Sequence, residues 1–268
     1  MEKIFLGPAG ICISAKDNST IGSIKHLAEL GLAAQEVEFV YGVQMNRPTA
    51  REVGDIAKKL NIKLSIHAPY YINLCTTDKK KLAASKTRIK NTIDRAVAMN
   101  ANVIVFHAGF YGNLTEEEAF EKVKEGCEEV ATKEVLLGLE TTGKHSAFGS
   151  LEELVKLCKQ VKHCVPVIDF AHVFARNFGK IDYGKVFDAI EPLKLKHMHT
   201  HFSNIEFTEK GERRHLVLDS QPPFKPLAEE ILKRKLNITI ISESPALEQD
   251  SLKMKRIFES LGYRFEKN

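Results

Sequence analysis

Short apolar runs alternate with longer amphipathic stretches along almost the whole chain. The runs are KIFLGP (3–8), QEVEFV (35–40), KLSIHA (63–68), VIVFHA (103–108), VLLGLE (135–140), VPVIDF (165–170), LKHMHTH (195–201) and ITIISE (238–243). Rich in Val, Ile, Leu and Phe, they suit strands covered on both faces. The segments between them have helical periodicity. Ile21, Ile24, Leu27, Ala28 and Leu30 line one face of 21–31, with Ser19 or Thr20 to cap its start and Gly31 to end it. Pro48 and Thr49 open a helix over 49–60, and Leu82, Ile89, Ile93 and Val97 form one stripe of 79–99. Thr115 with Glu118, and Ser150 with Glu153, have capping-box spacing at the starts of 115–132 and 151–160. Helices at 183–190, 226–235 and 249–262 complete the series.

Eight alternating β and α units with mostly short links predict an α/β fold, a single (β/α)8 TIM barrel spanning residues 1–268. The main rival is an open, doubly wound sheet. No G-x-G-x-x-G turn follows the first strand. The stronger objection is where the chemistry falls. His67, His107, Glu140, Asp169, His201 and Glu243 each sit at or just past the end of an apolar run. An open sheet has one crevice, whereas a closed barrel gathers the C-terminal ends of all its strands around one mouth. Two links are long, 171–182 and 202–225, and both fall on that face. Long links in compact domains are usually functional.

Composition narrows the setting. A net charge of +4 does not by itself mark a nucleic-acid binder. Cys12, Cys75, Cys127, Cys158 and Cys164 form no C-x-x-C pair and read as reduced thiols. No apolar run approaches the ~18 residues of a membrane span, and MEKIFLGPAG lacks a signal-peptide pattern. A cytoplasmic protein with no membrane partner is expected.

A lone strand histidine is more often a hydrogen-bonded core residue than a ligand. Four successive strand ends carrying His67, His107, Glu140 and Asp169 change that balance, because buried carboxylates need a compensating charge. Imidazoles and carboxylates so gathered predict a divalent metal site, zinc or manganese. His197, His199 and His201 share one side of their strand. His201 is the preferred ligand, His199 can take its place, and His197 lies deeper, in the core or behind the ligands. His172, three residues after Asp169, can face a neighbouring metal or stay exposed in its loop. His215, in GERRH, reads either as part of a solvated basic turn or as a ligand with Arg213 and Arg214 beside it as phosphate contacts. His26, His145 and His163 read as surface or helix residues. So many donors exceed one tetrahedral site and predict two or three metals, with Glu140 as bridge. Clustered divalent metals suit phosphoryl hydrolysis, since they bind phosphate oxygens, activate water and stabilise the leaving oxygen. The chain has no Ser/His/Asp triad motif, P-loop or dinucleotide fingerprint.

HAPYYINL (67–74), FHAG (106–109), LETT (139–142), IDFAH (168–172), HFSN (201–204), the RRH stretch ending at His215, and SESP (242–245) occur in the order found in endonuclease IV. The chain resembles that zinc-dependent family, which cleaves DNA at abasic sites, over nearly its whole length. The resemblance implies a barrel with a trinuclear zinc cluster. His67, His107 and Glu140 would hold the first zinc, and Glu140, Asp169, His201 and Glu243 the second. His172 and His215 would belong to the third. Tyr70 matches a tyrosine that lies beside the substrate in the DNA cleft. The implied activity is base excision repair: cleavage of the backbone 5′ to an abasic site, leaving a 3′-hydroxyl, with Glu140 or Glu243 orienting the water. The abasic nucleotide would be extruded into the barrel mouth. The implied partners are two or three Zn2+, with Mn2+ as the alternative, and damaged duplex DNA bound by a monomer. Arg47, Arg176, Arg213 and Arg214 would contact its phosphates.

The chain departs from the family in several places. Asp169-Phe170-Ala171-His172 stands for D-T-C-H, and His201-Phe202-Ser203-Asn204 for H-x-N-D. Arg213 stands where an Asp precedes the last histidine by two residues, with Glu212 as the nearest replacement. VYGVQMNR (40–47) matches the DNA-probing second loop poorly. Two alternatives remain: a xylose-isomerase-like sugar isomerase or epimerase, which shares the barrel with mostly carboxylate ligands, and a barrel that binds metal or nucleic acid without cleaving.

Overall fold

All eight apolar runs form parallel strands. The computed structural model describes residues 3–266. Within them lie β1 (Ile4–Pro8), β2 (Ala34–Glu38), β3 (Lys63–His67), β4 (Val103–Phe106), β5 (Leu136–Glu140), β6 (Cys164–Asp169) and β7 (Met198–Phe202). A hairpin follows, β8 (Asn204–Thr208) and β9 (Gly211–Leu216), and then the last barrel strand, β10 (Ile238–Ser242). The strands are ordered β1-β10-β7-β6-β5-β4-β3-β2. A parallel bridge between Ala9 and Glu36 joins the two edges into a barrel, with Ala33 N–H donating to Leu6 O at 3.0 Å. Here β1 and β2 approach so closely that a Cβ on Gly7 would lie 1.6 Å from the Ala34 carbonyl oxygen.

Among the described residues nine α-helices pack outside: α1 (Thr20–Glu29), α2 (Arg47–Lys59), α3 (Lys79–Met99), α4 (Glu116–Val130), α5 (Leu151–Gln160), α6 (Phe170–Arg176), α7 (Tyr183–Ile190), α8 (Phe224–Arg234) and α9 (Glu248–Ser260). Their starts follow local chemistry. Ser19 accepts from Gly22 N–H at α1, and both expected capping boxes form, Thr115 with Glu118 and Ser150 with Glu153. Alternate strand residues face outward. Ile104, Phe106, Leu137, Leu139 and Ile240 join Ile24, Leu27 and Ile89 of the helices in one buried core. Truncating a fully buried residue such as Ile89 to alanine costs about 2–5 kcal/mol. The other strand face points into the barrel. Low in that interior Val103, Val105 and Val167 form a small apolar plug, and above it the lining turns polar.

Both long links contain regular structure. The 171–182 link does not run as a loop; it opens with α6, whose first turn is capped by the Asp169 carboxylate accepting from His172 N–H at 2.9 Å. The 202–225 link carries the β8–β9 hairpin. Among the described residues no helix is long and apolar enough to cross a membrane.

Candidate metal centre

Period-two alternation sends His67, Glu140, Asp169 and His201 into the barrel at the C-terminal ends of β3, β5, β6 and β7, and His107 and Glu243 follow one residue past β4 and β10. Glu140 is the hub. Its carboxylate lies 3.2 Å from His67 Nε2, 3.3 Å from His107 Nε2, 3.1 Å from His201 Nδ1 and 3.4 Å from His172 Nδ1. Glu243 lies 3.0 Å from His201 Nδ1 and 3.5 Å from His215 Nε2. The structure brings all eight expected ligands together in three overlapping groups: His67, His107 and Glu140; Glu140, Asp169, His201 and Glu243; and Asp169, His172, His215 and Glu243. Within each group one donor atom per residue lies within 4.8 Å of the others.

Arg213 does not enter the centre. Phe207 pairs with Glu212 and Glu206 with Arg214, so Arg213 is the extra residue of a β-bulge. The bulge shifts the strand by one place and turns Glu212 inward. Its Oε2 accepts from Gly143 N–H at 2.6 Å and lies 3.3 Å from His172 Nε2. A carboxylate therefore faces the third group, one residue earlier than the family pattern puts it.

The electrostatics fit a site made for cations. Burial raises the Asp169 carboxyl to about 6, with the Glu243 and Glu140 charges adding to the rise against the pull of His172, and its Oδ2 has no hydrogen-bond partner. Burial would also raise Glu140 and Glu243, but facing imidazoles outweigh it. Glu140 is held well below the usual carboxylate range, and Glu243 is held at about 2, chiefly by His201. Burial disfavours the His67 imidazolium, yet the Glu140 bond and the Glu38 charge raise it to about 10. Protons shared between imidazoles and carboxylates hold together groups that divalent cations would hold better. Nitrogen and carboxylate oxygen donors in overlapping sets of three and four match zinc or manganese.

Other expected residues have clear places. Tyr70 is two-thirds exposed at the mouth, beside His67 with ring centroids 6.3 Å apart. Tyr41, Tyr71, Phe110 and Phe178 are also exposed, on loops at the same rim. Arg213 and Arg214 project from the hairpin, both ion-paired to Glu206. Arg47 pairs with Asp94 at 3.0 Å. Arg176 is turned toward its own chain through Nη1. Its guanidinium donates to the Thr142, Lys144 and Ala147 carbonyls at 3.3, 2.6 and 3.1 Å and pins the loop after β5. His197 bonds Thr239 Oγ1 at 2.8 Å, deep in the barrel, and His199 contacts Glu36 rather than replacing His201. Sequence reasoning missed Glu36 and Glu38. Two carboxylates spaced by two in QEVEFV were a signal that they share the barrel side of β2.

Comparison with known proteins follows this geometry. The chain is 33% identical to an uncharacterized protein of Methanocaldococcus jannaschii, over 96% of this chain and 98% of that one. It is 26% identical to a probable endonuclease 4 of Mycobacterium leprae, over 70% of this chain and 79% of that one. Endonuclease IV from Thermus thermophilus superposes with a TM-score of 0.69 at 17% identity, covering 94% of this chain and 98% of that one. A 3-keto-D-glucoside 4-epimerase from E. coli superposes with a TM-score of 0.73 at 13% identity, covering 97% and 100%. These two structures share the fold and leave the chemistry to be argued from the site. Residues 24–261 match the model of the xylose isomerase-like TIM barrels, and the chain belongs to that family.

Proposed function

We propose that this protein is a metal-dependent phosphodiesterase that cuts the DNA backbone 5′ to abasic sites. The observation that carries this reading is the extent of the donor set. Beyond the four residues around Glu140 and Glu243 lies a further group, His172 and His215 with Glu212 beside it. Four donors complete a tetrahedral site, so a set this large fits two or three ions. Five imidazoles favour Zn2+ over Mn2+. The probable endonuclease 4 of Mycobacterium leprae supports the same class of substrate.

His67, His107 and Glu140 would hold one ion, Glu140, Asp169, His201 and Glu243 a second, and His172, His215 and Glu212 a third. Bound there, divalent metals would neutralise phosphate charge and lower the pKa of water. Glu243, with its carboxyl near 2 and partly open to the mouth, is an ionised acceptor that orients an attacking water. Tyr70 offers an exposed ring for the extruded sugar to pack against, and a missing base lowers the cost of extrusion. Arg213 and Arg214 reach toward the flanking backbone. The free cysteines fit a reducing cytoplasm.

A sugar isomerase or epimerase is the second reading. It is favoured by Glu206, which pairs with both Arg213 and Arg214, offsets one of their two charges and leaves the hairpin less able to draw DNA. The test is a zinc-loaded sample offered duplex DNA with one tetrahydrofuran abasic site. A single nick 5′ to the lesion with an extendable 3′-hydroxyl is expected. Intact DNA with metal still bound would overturn the reading, and epimerisation of a ketose by the same sample would replace it.

A further inference from the structure

TIM-barrel interiors are packed mainly with branched apolar side chains. This one places an ionisable group directly beneath the candidate ligands. Glu36 of β2 is fully buried, and removing an ionised carboxylate from water costs several kcal/mol unless partners compensate. Its partners are two histidines of β7. Glu36 Oε2 accepts from His199 Nε2 at 2.9 Å. Glu36 Oε1 lies 2.9 Å from His201 Nε2, close but out of hydrogen-bond alignment, and neither of these two atoms has another hydrogen-bond partner. The main chain is fixed as well, since Glu36 O accepts from Gly10 N–H at 2.9 Å where the barrel closes.

An imidazole that gives one nitrogen to a metal needs its other nitrogen held, and the group that holds it sets ring orientation and basicity. Three other candidate ligands follow this rule through uncharged partners. His67 and His172 donate from Nδ1 to the Ala68 and Thr141 carbonyls, both at 2.9 Å, and His215 Nδ1 bonds Ser203 Oγ at 2.6 Å. His201 is turned the other way. Its Nδ1 faces Glu140 and Glu243, and its Nε2 faces down the barrel toward Glu36.

We propose that Glu36 is a positioning residue that holds the His201 ring with Nδ1 presented to the Glu140–Asp169–Glu243 group, and that His199 anchors Glu36 in that role. The Nδ1 atoms of His67 and His215 meet only a carbonyl and a hydroxyl, and for His172 the carboxylates of Glu140 and Asp169 lie beyond the Thr141 carbonyl at 3.4 and 3.7 Å, so Glu36 makes His201 a more electron-rich donor than His67 or His215. The inference rests on the metal reading of the ring and not on the choice between DNA and sugar. A cation seated among Glu36, His199 and His201, whose donor atoms also lie within 4.8 Å of one another, is the competing arrangement.

Cobalt titration of the metal-free full chain, followed by visible absorption, separates these outcomes for wild type, Glu36→Gln and His199→Gln. The expected result is that Glu36→Gln binds the same number of Co2+ ions as wild type, one of them roughly 10–100-fold more weakly and with a shifted band. His199→Gln should move the same ion in the same direction by less, and it carries the test if Glu36→Gln does not fold. Unchanged affinities and spectrum in both variants would overturn the proposal. Loss of one whole equivalent with the other bands unchanged would also overturn it, in favour of a cation at Glu36. Wild type that takes up no cobalt would instead remove the metal reading beneath it.

Discussion

Replacing Glu212 with glutamine tests the third donor group while leaving every candidate ligand of the other two in place. The amide keeps the size of the carboxylate, and its oxygen can still accept from Gly143 N–H, a bond of 2.6 Å in the native protein. What it removes is the negative charge 3.3 Å from His172 Nε2. Deleting one partner of a buried charged pair costs about 3–5 kcal/mol. The Glu212 side chain is 22% exposed, which puts the effect at the lower end. That figure is a folding cost; for the ion itself, losing this carboxylate should weaken binding by roughly 10–100-fold or more. Glu212 lies outside the His67–His107–Glu140 group and the Glu140–Asp169–His201–Glu243 group. Asp169 and Glu243 are shared between the second and third groups, so the second group's affinity should fall as well, by less than the third's, and the first group's least. Arg213→Asp should not repair the loss, because the bulge turns that position toward Glu206 and solvent. Zinc titration against a competing chromophoric chelator reads each site separately. Three native-like affinities in Glu212→Gln would refute the assignment of Glu212, and equal collapse of all three would refute this grouping.

Three further outcomes are expected. Arg176→Ala frees three carbonyls of the loop after β5 and should lower stability by about 1.5–3 kcal/mol in chemical denaturation, while the salt dependence of DNA binding stays as in wild type; a slope smaller by about one would restore Arg176 as a phosphate contact. Tyr70→Ala removes an exposed ring, so metal content and melting temperature should hold while the apparent KM for abasic DNA rises by roughly 10-fold through lost packing against the sugar and its neighbours; an unchanged KM would exclude Tyr70 from the substrate. In metal-free protein His67 is raised to about 10, which adds stability below its unfolded value near 6.5 and loses it as pH climbs toward 10. Glu243, held at about 2, adds stability above about 4.5 and loses it as pH falls toward 2. The melting temperature of chelated protein should therefore be highest between these ranges, at mildly acidic pH, and a chelated protein more stable at pH 9 than at pH 6 would contradict the buried network.

The barrel strands were legible because each is buried on both faces, so its composition alone marks it. The gathering of the candidate ligands was legible because a closed parallel barrel places every strand end on one rim, and this converts sequence position into proximity. The β8–β9 hairpin was not legible. In β8 Ile205 and Phe207 alternate with Asn204, Glu206 and Thr208 and pack on Phe174, but that alternation is only one strand long, and GERRHL, polar and bulged, offers it no recognisable partner. For α6 the difficulty was overlap: Asp169 ends β6, caps the helix through His172 N–H and faces the centre, leaving no separate start signal. Glu36 sat in a run already read as strand, and only register shows that it faces His199 and His201 across the barrel. The exchange of Arg213 for Glu212 depends on a one-residue bulge, a backbone feature that spacing alone does not record.

The proposed function requires that the eight histidine and carboxylate candidates, together with Glu212, hold several metal ions at once. Elemental analysis of full-length protein, loaded with zinc and then desalted, tests that claim most directly. Three zinc ions per chain are expected, falling to two in Glu212→Gln; one ion or none per folded wild-type chain would contradict a multinuclear centre.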